Sequence, residues 1–476
     1  MTEVSGKWFV VISLLSGTFT IVLNNSMLNP AVPYLMDVFH TDAVKASWVI
    51  TIFMVMMGIT LPLTGYLGDK FGKKNMFITG LILFVIASIF GSFSWSMGSF
   101  IFFRSLQGIA GGIIMPISMT LIFETFPRKE RGKAMGVWGI CVMLAPAIGP
   151  TIGGLIMELG SWKFLFLVNI PIGLMAVVLS YIYLPQTPRK KDIYFDIWGF
   201  LCVTIGIGTI LFSLGNISTL DHLFNPLNVL LVLAGIVFLS LFLQIEKRAT
   251  HPLLDLSIFR IGAYSYSVCV AGISAIGMFS GVFLVPLLIQ QVYGYGPIMS
   301  GLALLPAALF SGIFINIGGR VLDRRGATWI ITTGVTILSL GTISMYFLEI
   351  DSALVWVFIL MAIRGIGLGL SGMTASTVGM NTIPSNLVSS GAAMNNVLRQ
   401  MSSALGIVFV SIYYEVRVTQ MFTNMPVQEA QFIAINEGFL IIGIITALLI
   451  PAGYMLGKKA KETEARIDDK KCKNLV

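Results

Sequence analysis

Charge is what this chain of 476 residues has least of: 11% of its positions are Asp, Glu, Lys or Arg, against 56% hydrophobic. A water-soluble domain carries about a quarter charged residues, so a chain this poor in them cannot clothe an apolar core with a solvated shell. The mean hydropathy of +0.89 leads to the same conclusion. Histidine is scarcer still, with three copies, His40, His222 and His251, all in predicted loops. The four cysteines follow no metal-ligand spacing and no pairing pattern; Cys141, Cys202 and Cys269 read as small apolar residues within spans and Cys472 lies in the tail. A membrane-embedded enzyme needs nucleophile and base, or metal ligands, converging at one depth. No cluster of His, Cys and carboxylate offers that, so the chain is not expected to be an enzyme, nor to hold a metal or a cofactor. The loops are too short to house a soluble sensor domain, and the stretch after Lys7 is too long for the apolar core of a cleaved leader.

What is abundant is apolar sequence in runs of roughly 20 residues, the length a helix needs to cross about 30 Å of hydrocarbon. Such runs are predicted near 8–32, 47–67, 75–94, 99–122, 134–157, 163–184, 197–215, 226–245, 263–289, 300–318, 328–347, 353–376, 392–413 and 437–456, fourteen in all. An unpaired backbone group in lipid costs several kcal/mol, and the alternation of a barrel strand is missing, so the fold class is an all-α polytopic membrane protein. Basic residues in short loops stay on the cytoplasmic side. With both termini in the cytoplasm, 24 of the 30 lysines and arginines fall in inner loops or in the tail, residues 458–476. Topology thus accounts for the net charge of +8, and no basic stripe interleaved with aromatics points to nucleic acid. The tail is of mixed sign, with weak attraction to membrane lipid as the most it should do.

Internal repetition organises the spans. Residues 65–74 read GYLGDKFGKK and residues 319–328 read GRVLDRRGAT, with Gly, Asp and Gly at the same internal spacing. Each is followed two segments later by an arginine, Arg104 and Arg364. The chain divides accordingly into a six-helix bundle over 1–190, two inserted helices over 191–250, a second six-helix bundle over 251–457 and the tail. Parallel halves of this kind mark secondary transporters.

These stretches resemble the motifs of the major facilitator superfamily. GYLGDKFGKK is similar to its motif A, RSLQGIAGG at 104–112 to motif B, and GPTIGG at 149–154, with Gly136 before it, to motif C, the antiporter motif. SWKFLFLVNIPIG at 161–173, FDIWG at 195–199, EKRATHPLLDLSIFR at 246–260 and GYGPIMSGLALLP at 294–306 resemble the fourteen-span drug:proton antiporter branch. The resemblance implies a multidrug efflux transporter of the plasma membrane, of bacterial type. It also implies a gating latch in which Asp69 contacts a neighbouring helix end, among Gly65, Gly72 and Lys73, with Asp323 as its weaker counterpart. Arg104 is implied to take part in proton coupling, and Gly136, Ala145, Gly149, Pro150, Gly153 and Gly154 to form a pliant helix at the seam of the halves. Ala145 stands where the family has glycine.

Plainer readings stand beside these. The charged hairpin at 65–74 also obeys the inside rule alone, Arg104 could snorkel to the outer surface, and the glycines permit ordinary close packing. VLNNSMLNPAVP at 22–33 is similar to the family's first-segment pattern, but Asn24 occupies the place of the aspartate thought to carry the coupling proton, and an amide does not titrate. No carboxylate is predicted near the middle of any span; Glu124 and Glu158, at opposite ends, are the nearest substitutes. Asn24, Asn25, Asn29, Gln107, Met115, Gln290, Asn316, Asn395 and Asn396 are the candidates for a substrate cavity, with interhelical hydrogen bonding as the alternative use of the amides. Without an acid at 24, neutral, anionic or zwitterionic amphiphiles are favoured over lone cations. The expected function is a monomeric exporter of amphipathic small molecules that exchanges them for protons; the alternative is a facilitative or differently coupled carrier of a specific metabolite or lipid.

Overall fold

A computed structural model describes residues 2–28, 31, 35, 38–41, 43–158, 161–189, 194–216, 221, 224–249, 254–384, 387–421 and 425–473. Of residues 2–6, 43–47, 129, 140–141, 143, 147, 158, 215–216, 297, 323–325 and 464–473 it describes the backbone only. Asn29 therefore lies outside the described residues, as do the side chains of Glu158 and Asp323.

The first segment is α1 (Thr2–Met27). Its helix ends at Met27 with Leu28 in a turn, short of the predicted end at 32, and residues 29, 30 and 32 lie outside the described residues. The second predicted span is two helices, α2 (Ala43–Thr60) and α3 (Leu63–Phe71), bent by 59°. Pro62 lacks an amide hydrogen and crowds the carbonyl one turn back, and the chain breaks there. There follow α4 (Lys73–Gly91), α5 (Met97–Thr125) and α6 (Arg128–Glu158). The sixth span divides into α7 (Lys163–Leu167) and α8 (Asn169–Tyr183), the break falling at the residues facing Pro171.

The inserted pair is α9 (Ile197–Asn216) and α10 (Pro226–Arg248). The second set comprises α11 (Gly262–Leu287), which runs on into a π-turn at Leu288–Val292, α12 (Pro297–Arg325), α13 (Ala327–Ser344), α14 (Leu354–Thr382) and α15 (Val388–Met421). The last span joins α16 (Val427–Ala447) to α17 (Ile450–Lys473), again interrupted one turn before a proline, Pro451. Among the described residues twelve helices are long and apolar enough to cross a membrane, and up to fourteen when each of two bent pairs, α2 with α3 and the 130–146 and 148–157 stretches of α6, counts as one span. An all-α architecture of twelve to fourteen candidate spans is thus present among the described residues, with proline breaks that hydropathy does not reveal.

The helices pack within and across the two predicted bundles. In the first, α2 lies on α5, α4 on α5 and α8, and α1 on α6 and α8; in the second, α14 lies on α12 and α13, and α11 on α15. The bundles meet along α6 and α12 on one side and along α3, α5 and α15 on the other. Against that second seam sits α9: Ile207 and Leu211 pack at Gly58 of α2, and Ile210 and Leu214 pack with Met401 and Ala404 of α15. Its partner α10 is largely exposed, with Leu227, Leu230, Leu233, Ile236 and Val237 turned outward toward what would be lipid.

Candidate functional site

Three polar residues in α1 and α5 that the sequence singles out converge on a fourth. Arg104 is fully buried, and its guanidinium donates in three directions: Nε to the Val49 carbonyl at 3.0 Å, one terminal nitrogen to Gln107 Oε1 at 2.8 Å, the other to Asn25 Oδ1 at 3.0 Å. Its flat face rests on the Phe53 ring, 4.5 Å from the centroid. Asn24 joins the same cluster, donating Nδ2 to Gln107 Oε1 at 3.1 Å and accepting at Oδ1 from Asn169 Nδ2 at 2.8 Å. Gln107 spends its own amide hydrogens on Ser88 Oγ at 2.9 Å. The result is one hydrogen-bonded network tying α1, α2, α4, α5 and α8 together.

Position follows from sequence. Gly108 and Gly112, one turn apart on α5, let that helix lie against the α2 backbone; a methyl on Gly108 would sit 2.6 Å from the Phe53 carbonyl. Only that approach brings Arg104 within reach of Val49. Every acceptor around the guanidinium is neutral, and no carboxylate among the described residues pairs with it. A desolvated cation without a counter-charge is costly, and such residues inside membranes mark function by default. Full burial also means that Arg104 does not reach toward the surface.

The second bundle holds a counterpart. Arg364 is buried, donating to the Gly277 carbonyl at 2.7 Å and to Thr342 Oγ1 at 3.1 Å, with Phe439 beneath it at 5.3 Å. It borders a cavity of about 40 Å³ lined also by Pro146, Met278 and Leu304. That holds a few waters at most, far below the roughly 300–1,000 Å³ of a drug-sized site.

At the end bearing the basic loops, Gly72 has φ +88°, a backbone conformation open to glycine, and turns the chain from α3 into α4. The turn sets Lys73 between two acids: Nζ lies 3.3 Å from Asp69 and 2.9 Å from Glu124 at the end of α5. The neighbouring Lys74 donates to the Tyr181 and Leu184 carbonyls, both at 2.7 Å, and so neutralises the C-terminus of α8. Gly65 faces the start of α15 near Ser389, and Arg131 donates across the bundles to Asn381 at 3.2 Å. Glu124 is thus in contact with Lys73, whereas Asn24 lies apart from it in the Arg104 network.

The glycine helix lies where the halves meet. Gly136 faces Asn316 of α12, and Gly149 and Gly153 face Ser26 and Met27 of α1, while a methyl on Gly154 would point into open space. Ala145 is buried beside Met27, and Pro150 is half-buried. A methyl on Gly153 would collide with the Met27 carbonyl. Gly153→Val should therefore force α1 and α6 apart; transport is expected to fall by at least about tenfold and the thermal midpoint to drop, since overpacking costs about 1–3 kcal/mol. A variant with unchanged melting and transport would show that this contact is not needed.

The other cavity candidates do not converge. Met115 packs in a buried apolar cluster that runs through both bundles, Asn395 bonds Ser376 at 3.4 Å, and Asn396 accepts from Arg399 at 3.0 Å. Gln290 is exposed and donates to Ser300, and Asn316 lines a separate cleft. Asn169, Ser88 and Val49 were not among the candidates. Asn169 lies inside the quoted stretch 161–173, but nothing in its local sequence points it at Asn24.

Two helical bundles around buried arginines, met by a glycine-rich seam, define a membrane transporter. The chain belongs to the major facilitator superfamily, whose model matches residues 14–407; its members are transporters, not enzymes. It is 30% identical over 410 residues to an uncharacterized MFS-type transporter, YhcA, of Bacillus subtilis, covering 86% of this chain and 77% of that one. It is 28% identical to multidrug resistance protein 3 of the same organism, over 87% of this chain and 80% of the other. It is also 28% identical to the riboflavin transporter RibZ of Clostridioides difficile, over 91% and 94%. Among solved structures, the proton:xylose symporter XylE shares the fold with a TM-score of 0.64 at 15% identity, over 94% of this chain and 95% of that one.

Proposed function

We propose that this protein exports amphipathic small molecules across a bacterial plasma membrane by alternating access of its two bundles, with the basic end and both termini in the cytoplasm, as a monomer. The observation that carries the reading is the glycine-faced contact of α6 with α12 of the other bundle, at Gly136, Gly139 and Gly319, a surface on which bundles can slide. Relatives named for multidrug resistance support export. A cation held only by neutral acceptors favours neutral, anionic or zwitterionic substrates over lone cations. In this reading protons are exchanged through an acid other than position 24, and the contact of Glu124 with Lys73 supports Glu124 as that acid.

The neutral network at Asn24 favours a second reading, a carrier of one metabolite or lipid driven by its own gradient, as the relative named a riboflavin transporter illustrates for its own case. Uptake of several amphiphiles into inverted vesicles separates the two. Export predicts accumulation that stops when ionophores collapse the pH gradient and potential; accumulation that survives collapse refutes proton exchange. Glu124→Gln and Glu158→Gln are expected to cut gradient-driven uptake. If both variants transport as the parent does, neither acid carries the proton.

A further inference from the structure

A cleft of about 670 Å³ opens between α6 and α12 at the basic end, on the side of the bundle interface that α9 does not cover. Its composition is graded along the helices. At the mouth stand Lys133 and Arg320, both exposed, with the Lys133 ammonium 5.1 Å from the centre of the Trp8 ring. One turn deeper on α12 lies Asn316, with its Nδ2 turned back onto the Gly312 carbonyl. The remaining walls are aliphatic: Ile317 beside Asn316 and, deeper, Ile313 and Leu309 on α12, with Val137 and Leu144 on α6. Arg320 and Leu309 are about 16 Å apart along the helix, so the cleft reaches from the membrane surface through most of one leaflet.

Two features say what such a cleft holds. Neither Lys133 nor Arg320 pairs with a carboxylate among the described residues, although acids are near at hand on the same face of the molecule in the Asp69–Lys73–Glu124 group. The cleft is also open sideways: Leu309, Ile313 and Ile317 are 47%, 53% and 41% exposed, on a surface that faces hydrocarbon. Two unpaired cations and an indole at headgroup depth above an aliphatic trough match an anionic lipid, whose phosphate is attracted to each nearby cation and whose chain replaces bilayer contacts.

We propose that this cleft binds one anionic phospholipid of the cytoplasmic leaflet, its phosphate between Lys133 and Arg320 and an acyl chain along Ile317, Ile313 and Leu309. The assignment rests on the orientation given above. Because Gly319 meets the Gly132 backbone beside the cleft and Gly136 meets Asn316 within it, the lipid lies against the contact on which the bundles would slide. Occupancy therefore holds α6 and α12 in the arrangement seen here.

Native mass spectrometry of the full chain in detergent, with equimolar phosphatidylglycerol and phosphatidylcholine, tests this without reference to transport, so its failure leaves the export reading to its own vesicle assay. One phosphatidylglycerol is expected to be retained in preference. Lys133→Gln and Arg320→Gln should each lower that preference by about fivefold, and together by on the order of 25-fold, as loss of roughly one surface charge interaction apiece requires. Ile313→Trp, which fills the trough and leaves both cations in place, should release the lipid, whereas Arg248→Gln with Lys458→Gln, elsewhere on the basic face, should not. Equal retention of the two lipids, or a preference that survives the Lys133 and Arg320 changes, overturns the site. A preference that Ile313→Trp leaves intact reduces it to surface charge and overturns it equally.

Discussion

Asn24→Asp is expected to give a transporter whose rate changes by about tenfold across roughly two pH units, where the parent shows no such step arising from this position. A protonated aspartic acid nearly reproduces asparagine here: its hydroxyl can donate to Gln107 Oε1, as Asn24 Nδ2 does at 3.1 Å, and its carbonyl can still accept from Asn169. Once ionised it has acceptors only. It then faces Gln107 Oε1 as one acceptor against another, and the Arg104 nitrogen that now donates to Gln107 at 2.8 Å is drawn to the carboxylate instead. Two protonation states would thus select two arrangements of one side-chain network, which is what coupling to a proton requires. Proteoliposomes loaded at different internal pH, with proton flux followed by a trapped dye, would register the change. A variant with the parent's pH profile would show that the network does not respond to charge at position 24.

The all-α class and the candidate spans were legible in the sequence because lipid imposes a length and forbids unpaired backbone, so 20-residue apolar runs have one interpretation. The breaks at Pro62, Pro171 and Pro451 were not, because a proline alters the helix one turn behind it while leaving hydropathy unchanged. Arg104, Gln107, Asn24 and Asn25 stood out as polar groups in apolar surroundings, and they do meet. Their partners did not stand out: the Val49 carbonyl is a group every residue carries, and Ser88 also satisfies its own helix by donating to the Phe84 carbonyl. The lipid cleft was invisible for another reason. Lys133 and Arg320 count simply as inside-rule cations, and only the pairing of α6 with α12 sets them across from each other over an aliphatic wall.

Arg104→Met is expected to reduce transport by at least about a hundredfold while moving the thermal midpoint little, because its two structural effects oppose each other. Loss of the guanidinium leaves Asn25 Oδ1 without its donor, a cost of about 1–3 kcal/mol. Gln107 Oε1 still accepts from Asn24, and Val49 keeps its place in the α2 ladder, so no further orphan is made. Against that cost stands relief from burying a cation with no counter-charge, worth several kcal/mol. Folding therefore loses little, but the tie among α1, α2 and α5 is gone. Arg104→Lys separates charge from geometry. Lysine keeps the charge but has no planar fork, and a single ammonium cannot address Val49, Gln107 and Asn25 along the three directions the guanidinium uses. Transport by the lysine variant is expected to fall by at least about tenfold as well. Parent-like rates in the lysine variant would make the charge alone sufficient, and parent-like rates in Arg104→Met would remove this residue from the transport mechanism.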